Sequence, residues 1–117
     1  DHIPAFMTAD FNSKPGSDVH RLFLKSGFLD TFLAAGSHDD DDSDTFHSFE
    51  GADYRSGPPI DNYGRDKMQT TTRMDWVLLR HGALKTQTNS CLILRDHDGP
   101  LYPSDHYPVI ADLSFTD

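Results

Sequence analysis

The sequence predicts an α+β domain in which strands outnumber helices. Its 117 residues suit one domain that buries about two-thirds of the surface of the unfolded chain. Hydrophobic residues make up 36% and charged residues 25% of the chain, as is ordinary for a globular domain. Short apolar runs with strand-like alternation recur along the chain, whereas helical spacing of apolar residues is confined to its first third. No Gly-rich phosphate loop or dinucleotide fingerprint is present.

Five segments have the apolar content of strands. They are residues 3–9, 45–49, 73–80, 84–94 and 107–113. The third, RMDWVLLR, alternates most clearly, so that Met74, Trp76 and Leu78 are expected to share one face of a sheet.

Two short helices are predicted between the first two of these strands. Ser17 can cap the first, whose apolar positions have i, i+3, i+4 spacing: Val19, Leu22 and Phe23. Gly27 provides a left-handed end for this helix. The second repeats the spacing at Leu29, Phe32 and Leu33 and ends at Gly36. Residues 37–44, SHDDDDSD, form an acidic loop, and residues 51–66 a loop rich in Gly, Pro and Asp.

The charge of the chain argues against tight binding of a nucleic-acid duplex by these residues. The formal net charge is −9, and Glu50 is the one acid among 19 that is not aspartate. Even outside residues 39–50 the remaining acids outnumber the 10 bases, so no basic surface is expected. A phosphate substrate would need a cation or another segment to supply positive charge. The single cysteine, Cys91, forms no internal disulfide, and no apolar stretch reaches the length of a membrane span.

Polar residues stand at the ends of predicted strands, where packing alone does not require them. Asp10 and Asn12 follow the first strand, and Asp105 and His106 precede the last. Asp75 lies within an apolar strand, where an unpaired carboxylate would cost several kcal/mol. An imidazole is a suitable donor for it, and an Asp–His pair prepares a histidine for acid–base work or phosphate contact. Asp105 is then free to face a divalent cation.

Each of these residues also has a purely structural explanation. Asp10 and Asn12 are common turn formers at strand ends. Asp75 could accept backbone hydrogen bonds or pair with Arg73, and His106 could be a hydrogen-bonded structural histidine. The sequence alone leaves these alternatives open.

Four segments together resemble a known family. They are TADFNSKPGS, TFHSFEG, RMDWVLLR and YPSDHYPVIADL, which in this order resemble the C-terminal half of the endonuclease/exonuclease/phosphatase superfamily, the DNase I-like proteins. The segments span residues 8–113, and one departure is Ala9, where the family usually has Gly. The resemblance implies half of a four-layer α/β/β/α sandwich, with one mixed, mainly antiparallel sheet and short helices on one face.

The resemblance also implies a role for each polar residue. Asp10 would position or protonate groups at the scissile phosphate and bind metal, and Asn12 would contact a phosphate oxygen or a second metal. Asp75 would orient the catalytic His106, while Asp105 would bind metal. The implied reaction is metal-dependent hydrolysis of a phosphate ester, in a nucleic acid or a small phosphodiester, by in-line attack of water. Mg²⁺ or Mn²⁺ would stabilise charge on the phosphoryl oxygens.

Two further residues are candidates for substrate contact. The resemblance suggests that His47, in TFHSFEG, faces the substrate cleft, although an exposed loop histidine is the alternative. Arg73 could reach a phosphate, although a solvated or Asp-paired role is the alternative. Substrate specificity is expected to lie in loops such as residues 51–72.

The N-terminal half of the family fold is not present before Asp10. In the family that half supplies an early Asn and the glutamate that anchors the main metal, and Glu50 does not occupy that position. Residues 1–117 are therefore predicted to be the C-terminal half of the domain. We expect an apolar sheet face that pairs with the missing half or with a second copy of the chain.

A second hypothesis is an inactive half-domain or a calcium-binding interaction module. Asp39, Asp41, Ser43 and Glu50 fall at positions 1, 3, 5 and 12 of an EF-hand-like loop. Position 6 is Asp44 rather than Gly, and no flanking helix pair is evident. A solvated or disordered acidic loop is the alternative for this segment.

Overall fold

The protein has an α+β fold with few, short helices. The computed structural model describes residues 3–40, 42–54 and 72–116. The elements are β1 (Ala5–Asp10), α1 (Asp18–Lys25), β2 (Leu29–Asp30), α2 (Thr31–Ala34), a 3-10 helix (Gly51–Asp53), β3 (Asp75–Arg80), β4 (Lys85–Ile93) and β5 (Val109–Thr116). The predicted α+β class is confirmed. None of the helices in the described ranges is long and apolar enough to cross a membrane.

The described strands form two antiparallel sheets instead of the single mixed sheet that was expected. One sheet has the order β1-β3-β2, and the other pairs β4 with β5. The β4–β5 ladder shifts register between Thr88 and Ser90, which is typical of a β-bulge. β3 and β5 contact each other without forming a ladder, so the two sheets meet by side-chain packing.

Helix α1 begins as predicted but buries only part of the predicted face. The Ser17 hydroxyl accepts a hydrogen bond from the amide of His20, as expected of an N-cap. Val19 and Leu22 are 41% and 64% exposed, whereas His20 is 3% exposed. His20 is buried because its Nε2 lies 2.9 Å from Asp30 Oδ2. Phe23, the third predicted position, does pack inward, with its ring centroid 5.3 Å from that of Phe11. The inner face of this helix therefore combines one predicted apolar residue with a polar contact that apolar spacing does not reveal.

The predicted strand at residues 45–49 is wrong. Phe46 makes an isolated bridge with His106, and the backbone then leaves the extended region. Ser48 and Phe49 have φ values of 53° and 61°, in the left-handed region that strands do not use. The segment is therefore a turn. The loop predicted at residues 51–66 follows it, and its residues 55–66 lie outside the described residues.

A small core surrounds β3. The hydrophobic side chains buried there and nearby are Phe32, Trp76, Leu78, Leu79, Cys91 and Tyr107. Trp76 is 1% exposed and stacks on Phe11, with ring centroids 4.5 Å apart. Helix α2 contacts both β3 and β4 and so links the two sheets.

Candidate active site

The antiparallel pairing of β1 and β3 places two carboxylates opposite each other. β1 ends at Asp10 where β3 begins at Asp75, and the two residues are partners in the ladder. The Asp10 side chain is 49% exposed and that of Asp75 is 21% exposed. Like charges directly opposite each other destabilise a sheet, so this pair favours a cationic or hydrogen-donating neighbour.

His106 is brought to these carboxylates by backbone contacts of the segment before β5. His106 forms the isolated bridge with Phe46, and the amide of Tyr107 donates to the carbonyl of Thr45 over 2.7 Å. The His106 amide donates to the Ser104 hydroxyl over 3.1 Å, in a local turn. The loop YPSDHYPV is therefore attached to residues 45–46, and its histidine lies against β3.

The imidazole of His106 bridges the two carboxylates. Its Nδ1 lies 2.8 Å from Asp75 Oδ2 and its Nε2 lies 3.7 Å from Asp10 Oδ2. Because an ionised carboxylate only accepts, Nδ1 carries the hydrogen and donates to Asp75. In the neutral ring Nε2 then has a free lone pair on the side that faces Asp10. One ligand atom from each of the three residues lies within 4.8 Å of the others.

The charges around His106 favour its protonated form. Burial lowers the pKa of His106, but the hydrogen bond and charge of Asp75 and the charges of Asp10 and Asp105 together raise the pKa above its ordinary value. The imidazolium can contact a phosphate as a cation or give up a proton, and the neutral ring can act as a base through Nε2.

Asn12 and Asp105 lie near this cluster without joining it. The backbone amide of Asn12 donates to Asp10 Oδ1 over 2.8 Å. The φ of Asn12 is 47°, a value that Asn tolerates. This turn holds the Asp10 carboxylate and leaves Asn12 exposed. The Asp105 carbonyl accepts from the His47 amide over 2.9 Å, and the Asp105 charge raises the pKa of both His106 and His47. Its predicted role as a metal ligand stays a prediction.

His47 does not face a cleft in this structure, so the prediction that it contacts substrate is corrected. Its side chain is 1% exposed and stacks on Tyr107, with ring centroids 4.1 Å apart. Its Nδ1 accepts from the Gly51 amide over 3.4 Å, and its Nε2 has no hydrogen-bond partner in the described residues. Burial lowers the pKa of His47 against the opposing charge of Asp105, which favours a neutral packed ring.

Arg73 is also buried, which corrects its assignment to the substrate. It is 1% exposed, and its guanidinium donates to both oxygens of Asp30 over 2.7 and 3.1 Å and to both oxygens of Asp39 over 2.6 and 3.0 Å. Burial lowers the pKa of Arg73, but these bonds outweigh it and raise the pKa. The Asp-paired alternative is therefore confirmed, with Asp30 and Asp39 in place of Asp75.

The acidic loop is held in part by hydrogen bonds within the protein, while Asp40 and Asp42 are exposed, as the solvated alternative has it. The Asp39 oxygens bind Arg73, and the Ser43 hydroxyl lies 2.9 Å from the Asp40 carbonyl. Asp44 Oδ1 accepts from the amide and the hydroxyl of Thr72. Asp41 lies outside the described residues, and no helix pair flanks the loop within the ranges described. These contacts do not support the calcium-loop hypothesis.

The sequence did not identify Thr45 as part of the site. Thr45 is fully buried, and its hydroxyl lies 2.6 Å from Asp75 Oδ2. The signal available was its place as the first residue of TFHSFEG, one of the four segments assigned to the family pattern. A cavity of about 390 Å³ opens beside His106 and Asp75, and Thr8 and Ser104 contribute to its lining.

Comparison with known proteins gives a partial likeness in sequence and in fold. No family model matches the chain. Nocturnin from Homo sapiens is 25% identical over 122 residues, a match that covers 98% of this chain and 25% of Nocturnin. A conserved protein of unknown function from Enterococcus faecalis V583 has a crystal structure that superposes with a TM-score of 0.62 at 21% identity, over 97% of this chain and 37% of that chain.

The chain thus spans a quarter of the length of the curated relative and just over a third of the solved structure. At 21% identity the likeness to the E. faecalis protein concerns the fold alone. The chain therefore has the fold of one part of the E. faecalis protein and is similar in sequence to one part of human Nocturnin.

Proposed function

We propose that this chain forms part of a divalent-metal-dependent phosphoesterase that hydrolyses a phosphate ester by in-line attack of water. The observation that carries the proposal is the convergence of Asp10, Asp75 and His106 from three distant parts of the chain. The similarity to part of Nocturnin and the four segments that resemble the endonuclease/exonuclease/phosphatase superfamily support it. The substrate class is a nucleic acid or a small phosphodiester.

His106 is the acid–base residue in this proposal. Asp75 accepts the Nδ1 hydrogen and so orients the ring, which directs Nε2 toward the side of Asp10. The side chain of His106 is 26% exposed, so Nε2 can meet a substrate. Neutral His106 would take a proton from the attacking water, and protonated His106 would contact a phosphoryl oxygen. Asp10 would position groups at the scissile phosphate, and the side-chain amide of Asn12 would contact a phosphate oxygen.

Asp10 and Asp105 are the residues that would hold Mg²⁺ or Mn²⁺. Hard carboxylate oxygens are the ligands that these ions prefer. The Asp10 side chain is 49% exposed, and its Oδ2 lies outside hydrogen-bond distance of His106, so this oxygen can accept an ion. Asp75 fits less well because its Oδ2 already accepts from Thr45 and His106. A bound ion would neutralise charge on the phosphoryl oxygens. Waters, substrate or residues outside this chain would complete its shell.

Exposed apolar side chains support the proposal that another part of a larger domain covers this chain. Leu92 and Ile110 are partners in the β4–β5 ladder, share one face, and are 55% and 50% exposed. Phe6 and Phe115 contact each other edge to face and are 46% and 52% exposed. Ile110 and Phe115 are five positions apart in β5, so they face opposite sides of this sheet. We propose that the N-terminal half of the domain, or a second copy of the chain, packs on the face that carries Leu92 and Ile110.

The test is hydrolysis of bis(p-nitrophenyl) phosphate by the full-length protein with added Mg²⁺ or Mn²⁺. Hydrolysis is expected with metal and should be abolished by EDTA. His106→Gln should lower kcat about 100- to 10,000-fold, the usual cost of losing a general acid–base group. His38→Gln is the matched control, because the His38 side chain is 84% exposed and remote from this cluster in sequence.

Two outcomes would contradict the proposal. Failure of the full-length protein to hydrolyse this ester or a single-stranded oligonucleotide with either metal would exclude the reaction class. Metal-dependent hydrolysis that His106→Gln leaves unchanged would place the chemistry elsewhere.

A further inference from the structure

We propose that Thr45 is a positioning residue that holds Asp75, and through it His106, in the productive orientation. The inference rests on the function proposed above and deepens it, because it adds a third member to the Asp75–His106 pair. Thr45 is fully buried, and its Oγ1 lies 2.6 Å from Asp75 Oδ2.

The hydrogen bonds of the Thr45 hydroxyl determine the direction of this contact. The backbone amides of Met74 and Asp75 donate to Oγ1 over 2.9 and 3.2 Å, which occupies its two lone pairs. The one hydroxyl hydrogen can reach the Thr72 carbonyl at 3.2 Å or the Asp75 carboxylate at 2.6 Å. The carboxylate is nearer and charged, so it is the stronger acceptor. Thr45 therefore donates to Asp75.

This donation restricts the Asp75 carboxylate. Its Oδ2 accepts from the Thr45 hydroxyl and from His106 Nδ1, at 2.6 and 2.8 Å. The amide of Asp75 donates back to the same hydroxyl oxygen, so the backbone and the side chain of Asp75 are both attached to Thr45. Without the hydroxyl the carboxylate would be free to rotate, and its bond to His106 would lose its fixed geometry.

Thr45 is attached to the histidine segment as well as to the aspartate. Its carbonyl accepts from the Tyr107 amide over 2.7 Å, and the adjacent Phe46 forms the bridge with His106. One buried residue thus joins the start of β3 to the segment before β5. The spacing between Asp75 and His106 depends on it.

A purely structural role for Thr45 would rest on its backbone bonds and its packing, whereas the proposal requires its hydroxyl. Thr45→Val keeps the branched shape and removes the hydroxyl. Thr45→Ser keeps the hydroxyl and removes the methyl group. Thr86→Val is the matched control, because Thr86 is also buried and its hydroxyl lies 2.5 Å from Nδ1 of another histidine, His81.

The experiment measures kcat and KM of the full-length variants on bis(p-nitrophenyl) phosphate with Mn²⁺. Thr45→Val is expected to lower kcat about 10- to 100-fold while KM changes less than about threefold, because orientation is lost and binding is not. The kcat of Thr45→Ser should stay within about threefold of the wild-type value, and the kcat of Thr86→Val should match that of the wild type. In an Asp75→Asn background, Thr45→Val should have little further effect, because Thr45 acts through Asp75.

A readout independent of activity is the tautomer of His106, measured from its ring nitrogens by long-range ¹H–¹⁵N NMR. Spectra are recorded at a pH above the raised pKa of His106, because only the neutral ring has a tautomer to measure. The wild type and Thr45→Ser should hold the hydrogen on Nδ1, and Thr45→Val should show a mixture of tautomers. If the valine variant does not fold, Thr45→Cys, a weaker donor of similar size, replaces it with the same expected direction.

The outcomes separate this inference from the proposed function. A wild-type protein that hydrolyses no phosphate ester overturns the function, and the tautomer still tests Thr45. Wild-type hydrolysis together with an unchanged kcat and tautomer in Thr45→Val overturns the positioning role alone. Equal impairment of Thr45→Ser and Thr45→Val would assign the effect to packing of the methyl group and also overturn it.

Discussion

Replacing Arg73 by methionine removes the cation from a buried group of carboxylates. The guanidinium donates four hydrogen bonds, two to Asp30 and two to Asp39. The side chains of these aspartates are 1% and 8% exposed, so water does not replace the lost donors. Asp30 keeps its contact with His20, whereas among the described residues Asp39 keeps only the Ser43 hydroxyl, 3.3 Å from its Oδ1.

The expected loss of stability follows from the burial of this group. Removing one partner of a buried ion pair costs about 3–5 kcal/mol, because the remaining charge is left without compensation. That is a large part of the free energy of unfolding of a typical domain, which is about 5–15 kcal/mol. Adding Asp39→Leu to Arg73→Met should recover part of the loss, because an apolar group then replaces one uncompensated charge.

The assay is urea denaturation followed by the fluorescence of Trp76. Trp76 is the one tryptophan of the chain, is 1% exposed, and donates its indole hydrogen to the Arg73 carbonyl over 2.7 Å. It therefore reports unfolding of the region that carries the substitution. Arg21→Met is the control, because the Arg21 side chain is 65% exposed, and its effect should lie within about 0.5 kcal/mol.

A loss below about 1 kcal/mol for Arg73→Met, in a transition that stays cooperative, would refute this reasoning. The guanidinium would then contribute no more than a surface ion pair. A role for Arg73 in contact with substrate would have to be considered again.

Three further changes have expected outcomes. Gly51→Ala should destabilise the protein by about 2–4 kcal/mol in urea denaturation, because Gly51 has a φ of 58° and an added methyl group would overlap the Tyr102 hydroxyl. Burial raises the pKa of Cys91, so its reaction with a disulfide reagent should be slow in the folded protein up to alkaline pH and fast in urea. Because the folded-state pKa lies above the unfolded value, this thiol contributes stability below the unfolded pKa that is lost as pH rises through the folded pKa. Asp10→Asn should weaken Mn²⁺ binding by at least about 10-fold in calorimetry, because even the loss of a residue that only orients a metal ligand can cost that much.

Different results would count against each of these predictions. A Gly51→Ala variant as stable as the wild type would mean that Tyr102 moves aside without cost. Equal rates of thiol modification in folded and unfolded protein would show that Cys91 is accessible. Unchanged Mn²⁺ affinity in Asp10→Asn would remove Asp10 from the metal site.

Local patterns in the sequence were sufficient to predict four of the described strands, β1, β3, β4 and β5, and the contact between Asp75 and His106. Alternation in RMDWVLLR predicted β3, and the strand begins at Asp75, two residues later than the pattern. A carboxylate within a strand needs a hydrogen-bond donor, and this need predicted the contact between Asp75 and His106. In the structure His106 Nδ1 lies 2.8 Å from Asp75 Oδ2. Both inferences depend on short-range periodicity or on the cost of burying charge, which one sequence contains.

The residues that were misassigned depend on contacts between distant parts of the chain. His20 was not singled out and Arg73 was considered for contact with a phosphate, but the two share Asp30 in the interior. Hydrophobic spacing cannot reveal a buried ionic group, because its members are polar and far apart in sequence. Thr45 was missed for the same reason, since its hydroxyl acquires its role only where β3 and the segment before β5 meet.

The isolated bridge between Phe46 and His106 has a consequence for refolding. The carboxylates belong to one sheet, whereas the imidazole arrives with the strand that leads into the other. A chain that has formed only the β1–β3 ladder therefore has the Asp10 and Asp75 carboxylates side by side, without the His106 imidazole between them. Formation of the contact between His106 and Asp75 during refolding should lag behind the pairing of these strands and coincide with docking of the two sheets, a slow step because it closes a long stretch of chain.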